Sequence, residues 1–71
     1  MRTAVQAAEC ILLGARILQA EHPGATLVAL DKNVTCNGPH PSQLSDAILK
    51  DLKDNGWDYS PDGCWEFYTG H

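Results

Sequence analysis

Residues 42–68 read SQLSDAILKDLKDNGWDYSPDGCWEFY, and the fold turns on how this stretch is parsed. Leu44, Ala47, Ile48 and Leu52 recur at helical spacing and share one face, which predicts a helix over residues 42–55. Ser42 stands where an N-cap belongs, with Ser45 and Asp46 in the first turn beside the positive end of the helix dipole. Asn55 followed by Gly56 is a stop signal, because glycine takes the left-handed position after a cap at no steric cost. Leu52 and Trp57 then hold the two positions that touch across a Schellman motif.

After the stop the period changes from helical to alternating. Trp57 and Tyr59 alternate on one arm, Trp65 and Phe67 on the next. Between them Ser60-Pro61-Asp62-Gly63 has proline second and glycine fourth, as a type I turn with a glycine bulge requires. The reading is a hairpin over residues 57–68. It holds every aromatic residue of the chain, and Trp57, Tyr59, Trp65 and Phe67 are expected to form the core face, with Tyr68 on the other side.

Working back toward the N-terminus, His40, Pro41 and the residues from Asn37 read as a loop, since two prolines and a glycine exclude regular structure. Val34-Thr35-Cys36 reads as a short strand returning from an Asp31-Lys32-Asn33 turn. Ala25 to Leu30 is a nearly continuous apolar run, which predicts a buried strand. Residues 3–20 predict a first helix with Ala4, Ala7, Ala8, Ile11, Ala15 and Leu18 on one face. Leu13 falls in its polar arc, flanked by Cys10 and Ile17; either the small domain wraps this helix from several sides, or the spare apolar surface serves a partner or a second copy, with a homodimer as a side prediction. His22-Pro23-Gly24 ends the helix.

The expected fold class is α+β, in the order α-β-(β)-α-β-β, with two helices on one face of a small, mostly antiparallel sheet. Its 71 residues make one small globular domain, 1–71, with a thin core. The longest uninterrupted apolar run, Cys10 to Ala15, is far too short to span a bilayer, so no membrane association is expected. Three widely spaced cysteines, Cys10, Cys36 and Cys64, make a poor disulfide framework and read as reduced thiols of a cytoplasmic protein.

Charge is unevenly placed. Residues 1–40 balance, whereas residues 41–71 carry the whole net charge of −4. An acidic half lacks the Lys/Arg footprint that nucleic-acid phosphates require, so no direct nucleic-acid binding is expected. It suits a protein partner with a basic surface. No G-x-G-x-x-G or Walker loop is present, and no cofactor is expected.

Chemistry-bearing sets are sparse. Cys36 and His40, four apart, with Cys64, His22 and His71, are the candidate zinc ligands, but they form one loose pair and scattered singles. Cys36 or Cys64 with a histidine base is the candidate nucleophile, yet Asp62 and Glu66 flank Cys64 and oppose thiolate formation. Asp58, Asp62 and Glu66 on the hairpin read as solvated surface, with Asp62 serving the turn.

The run from Ser42 through Leu49, Leu52 and Gly56-Trp57 to Trp65 and Phe67 resembles the front of HicA-type ribonuclease toxins: a helix, a glycine–aromatic step, then a strand. The enzymatic alternative is a divergent toxin-like nuclease, or another small enzyme using His40 or His71. Those toxins carry their catalytic histidine in a Gly-Ser-His stretch; the matching residues here are Asp62-Gly63-Cys64-Trp65, with no histidine and net acid. The resemblance is therefore one of architecture.

The leading expectation is a small, acidic, non-enzymatic protein-binding module. Acidic proteins of this size include inhibitors encoded by phages and mobile elements, some presenting carboxylates where a nucleic acid presents phosphates. The candidate partner-binding residues are Asp46, Asp51, Asp54, Asp58, Glu66, Tyr68 and Leu13. A divergent HicA-like ribonuclease and a small structural zinc protein using Cys36, His40 and Cys64 are the alternatives.

Overall fold

A computed structural model describes residues 2–69. Helix α1 spans Ala4–Glu21; strands β1 (Leu27–Ala29) and β2 (Asn33–Cys36) follow, then a 3-10 turn at Pro41–Gln43. Helix α2 (Asp46–Asp54) and strands β3 (Trp57–Tyr59) and β4 (Trp65–Tyr68) complete the chain. The strands form one antiparallel sheet in the order β1-β2-β4-β3, and both helices lie on one face of it. This is the expected α+β fold, and the bracketed second strand is formed.

The predicted stop after α2 is in place. Gly56 has φ +84° and its N–H donates to the Lys53 carbonyl at 3.0 Å. Leu52 and Trp57, on either side of it, are both fully buried. The hairpin follows as read. Gly63 has φ +93°, its N–H donates to Ser60 O at 3.0 Å, and Ser60 N–H donates to Cys64 O at 2.7 Å. The register pairs Trp57 with Phe67, Asp58 with Glu66 and Tyr59 with Trp65.

The core is a single cluster of Leu18, Cys36, Leu44, Leu52, Trp57, Trp65 and Phe67. Each indole finds a partner for its N–H: Trp57 Nε1 donates to Cys10 O at 3.0 Å and Trp65 Nε1 to Pro39 O at 2.8 Å. Tyr59 stands edge-on to Trp65, ring centroids 5.3 Å apart. Tyr68 is exposed on the opposite side of the sheet, as expected.

Four expectations are corrected. The apolar run at β1 is not buried: Leu27, Val28 and Leu30 are all about half exposed. An apolar run fits either a strand covered on both faces or an edge strand with neither covered, and β1 is the sheet edge. Helix α2 begins four residues later than read, at Asp46. Pro41 starts a separate 3-10 turn capped by His40 Nδ1, and Ser45, not Ser42, caps α2 by accepting from Ile48 N–H at 3.2 Å. Ala47, expected on the apolar face, is exposed. Finally, α1 is rotated about its axis relative to the predicted face. Ala4 and Ala8 are exposed, while Cys10, Gly14 and Ile17 turn inward. Gly14 sets that rotation, because the Trp57 indole fills the space beside it.

Candidate functional site

The helices cover one face of the sheet and leave the other open. Alternation along the strands dictates what the open face carries. With Trp57, Tyr59, Trp65 and Phe67 turned under the helices, Asp58 and Glu66 turn outward, directly opposite one another. The same row continues across the sheet through Thr35 and Val28. A second row holds Tyr68 paired with Asn33, and Leu30 lies beyond it at the edge hairpin. Tyr68 is 60% exposed, Leu30 55% and Val28 51%, against 1–3% for Trp57, Trp65 and Phe67 beneath the helices. The open face is thus acidic at its β3–β4 end and apolar at its β1 end.

At the acidic end Asp58 and Glu66 form a cross-strand pair. Like charges directly opposite each other in a sheet destabilise it. Glu66 is half-buried and accepts from Asn33 Nδ2 at 3.4 Å, a neutral donor. No Lys or Arg stands in these strands.

The remaining candidates lie elsewhere. Asp46, Asp51 and Asp54 are exposed on α2, on the helical side of the sheet. They are interleaved with Lys50 and Lys53, and Lys50 Nζ meets Asp54 Oδ2 at 2.7 Å. The Asp54 carboxylate holds the Lys50 ammonium above its usual pKa. Helix α2 is therefore largely self-neutralised. Leu13 is 47% exposed on α1. Ile17, its expected companion, packs against the core. The seven candidate residues thus divide among three surfaces: Asp46, Asp51 and Asp54 on α2, Asp58, Glu66 and Tyr68 on the open sheet face, and Leu13 alone on α1.

The zinc and nucleophile readings gain nothing from the geometry. Among the described residues no three His, Cys, Asp or Glu side chains are placed to hold a metal. His40 is occupied by the 3-10 turn: its Nδ1 lies 3.1 Å from Ser42 N and 2.8 Å from Ser42 Oγ. Its ring stands edge-on to Tyr59 at 5.3 Å. Cys36 is buried, and burial, reinforced by the neighbouring Cys64 thiol, pushes its pKa up from 9.0, which disfavours the thiolate that a ligand or nucleophile needs. His71 lies outside the described residues. All three cysteines are free thiols. Among the described residues no helix is long and apolar enough to cross a membrane.

Sequence reasoning missed the apolar half of the open face. Val28 and Leu30 fall in the run read as a buried strand; among the described residues no further strand pairs with the outer edge of β1. Comparison with protein families, with curated proteins and with solved structures finds no significant match to this chain.

Proposed function

We propose that this protein is a small, non-enzymatic binding module that occludes a basic surface of a partner protein through the open face of its sheet. The observation that supports this is the direct cross-strand opposition of Asp58 and Glu66 on a face with no cation in its strands. A Lys or Arg from a partner, placed between the two carboxylates, relieves their repulsion and gains charge-assisted hydrogen bonds. Tyr68 supplies the aromatic contact of the kind that anchors interfaces, with Val28 exposed on the same face. The open face thus presents an aromatic, two apolar residues and acid at one end. An inhibitor that masks a nucleic-acid-handling groove belongs to this class.

The helix α2 carboxylates are a weaker docking surface, because Lys50 and Lys53 offset them in place. The decisive experiment is affinity capture with paired variants at low and high salt. A genuine partner is captured by the wild type and by Asp46→Asn/Asp51→Asn, is lost with Asp58→Lys/Glu66→Lys, and is released as salt rises, because screening weakens exposed charge pairs. A protein captured equally by the sheet-face variant, or held at high salt, overturns this reading. Degradation of RNA by the pure protein would support the ribonuclease alternative instead.

A further inference from the structure

Strand β1 forms one edge of the sheet, and its register fixes which backbone groups face outward. Leu30 N–H donates to Asn33 O at 2.8 Å, closing the hairpin, and Val28 pairs with Thr35. In an antiparallel ladder bonded and non-bonded pairs alternate. Leu30–Asn33 and Val28–Thr35 are therefore the bonded pairs. The N–H and C=O groups of Leu27 and Ala29 point away from β2, toward the free edge. An exposed, uncharged edge strand is a template for another strand, and natural sheets blunt such edges with charge. The opposite edge is blunted in this way: Asp54, Asp58 and Asp62 lie within or beside β3. The strand residues Leu27, Val28 and Ala29 carry no such guard.

From this we infer that β1 pairs antiparallel with β1 of a second copy, about a two-fold axis at Val28, joining two four-stranded sheets into one of eight strands. Three features make this edge self-complementary. Centring the axis on Val28 places Leu27 opposite Ala29 of the second copy, and the reverse. Those are the residues whose backbone groups face outward, so all of them find partners. Beside β1 a groove of about 270 Å³ runs against α1, lined by Leu12, Ala15, Arg16, Gln19 and Leu27 among others. Side chains of the added strand that face the helices cover it. Charges also match. The same register puts Asp31 opposite Ala25 of the second copy, and Arg16 lines the groove beside Ala25. Each copy thus offers Asp31 to the other's Arg16. The N-terminal half of the chain has no net charge, so two copies meet here without repulsion.

This surface is separate from the acidic end of the open face, and it replaces Leu13 and Ile17 of α1 as the expected dimer contact. The strands are short, so the interface lies at the small end of specific contacts, on the order of 1,000 Å² in total. The dimer is therefore concentration-dependent.

Sedimentation equilibrium over a wide concentration range tests it. The wild type is expected to shift from monomer to dimer. Ala29→Pro removes an outward N–H and leaves the β1–β2 bonds intact, as proline at a sheet edge does. It should weaken the dimer roughly tenfold or more, through the bond lost in each copy. Asp31→Arg and Arg16→Asp should each weaken it, and the double variant should restore it, which loss of folding cannot imitate. A wild type that stays monomeric at every concentration overturns the inference. So does a dimer indifferent to Ala29→Pro but lost in Leu13→Glu. A monomer that instead binds an unrelated extended peptide along β1 also overturns it.

Discussion

The Trp57 indole occupies the space that any side chain at Gly14 would need, so helix α1 and strand β3 meet at the one residue of α1 without a Cβ. The same approach lets Trp57 Nε1 reach the Cys10 carbonyl at 3.0 Å, one turn earlier in α1. The pair fixes both the rotation of α1 and its distance from the sheet.

Gly14→Ala is expected to destabilise the protein strongly, reversing the usual sign. In an exposed helix the change gains about 1 kcal/mol from propensity. Here the added methyl overlaps three atoms of the indole ring. Overpacking of this kind costs about 1–3 kcal/mol or more. A domain this small has a stability of only about 5 kcal/mol to lose. Urea unfolding measures the difference. Gly63→Ala is the contrast: φ is +93° there, but the nearest atom to a new Cβ is Tyr59 Oη at 3.9 Å, so only backbone strain is added. A Gly14→Ala protein as stable as the wild type would show that α1 can shift, and that the indole does not set its position.

The two serines that precede α2 should differ. Ser45 Oγ accepts from Ile48 N–H, so Ser45→Ala leaves a helix donor unpaired and should cost about 1 kcal/mol. Ser42 Oγ meets only the His40 ring on an exposed turn, and Ser42→Ala should stay within about 0.5 kcal/mol of the wild type. Thermal unfolding of both variants tests where the helix starts. The reverse order of effects would restore Ser42 as the cap.

Burial raises the Cys36 pKa above 9.0, and this has a definite sign in stability. The folded state holds the proton more tightly than the unfolded chain. The contribution is therefore complete below the unfolded value and is lost as pH rises from about 9 through the folded value. Unfolding free energy should fall over that alkaline range, and Cys36→Ala should flatten the fall. In the native protein at neutral pH, Cys10 and Cys64, which are partly exposed, should react with a thiol reagent before Cys36 does. Rapid labelling of Cys36 without unfolding would contradict its burial.

How much of this was legible in the sequence depends on whether a signal was local. Asn55-Gly56 and Ser60-Pro61-Asp62-Gly63 encode backbone conformations within four residues, and both the α2 stop and the hairpin formed where they were read. The alternation of Trp57, Tyr59, Trp65 and Phe67 likewise fixed the core face. The errors needed tertiary knowledge. Which arc of α1 faces inward depends on Trp57, more than forty residues away. Whether the apolar run at β1 is covered depends on its place in the strand order, which no local pattern contains. The start of α2 was local but contested: His40 Nδ1 captures Ser42 N–H first, and Pro41 begins a turn of its own. Of the site, the acidic residues were visible as a composition; that Asp58 and Glu66 face one another while Asp46, Asp51 and Asp54 lie on another surface follows only from the fold.

The opposition of Asp58 and Glu66 yields a prediction that separates stability from function. Directly opposed like charges on a sheet face are unfavourable, and opposite charges there are favourable, by up to about 1 kcal/mol. Asp58→Lys places an ammonium against the Glu66 carboxylate and should raise the unfolding free energy by up to about 1 kcal/mol. The gain should shrink as salt is added, because Asp58 is exposed and Glu66 is only partly covered. Trp57 and Tyr59, on either side of position 58, keep their places beneath the helices, so the fold has no reason to change. If the open face binds a basic partner, the same substitution should abolish binding, since the introduced lysine meets the partner's own cation. A variant that is both more stable and unable to bind would show that the carboxylate pair is held against the interest of the fold. A variant that gains stability and still binds would place the interface elsewhere. One that gains none would mean that solvent already screens the pair, removing the observation on which the acidic-face reading rests.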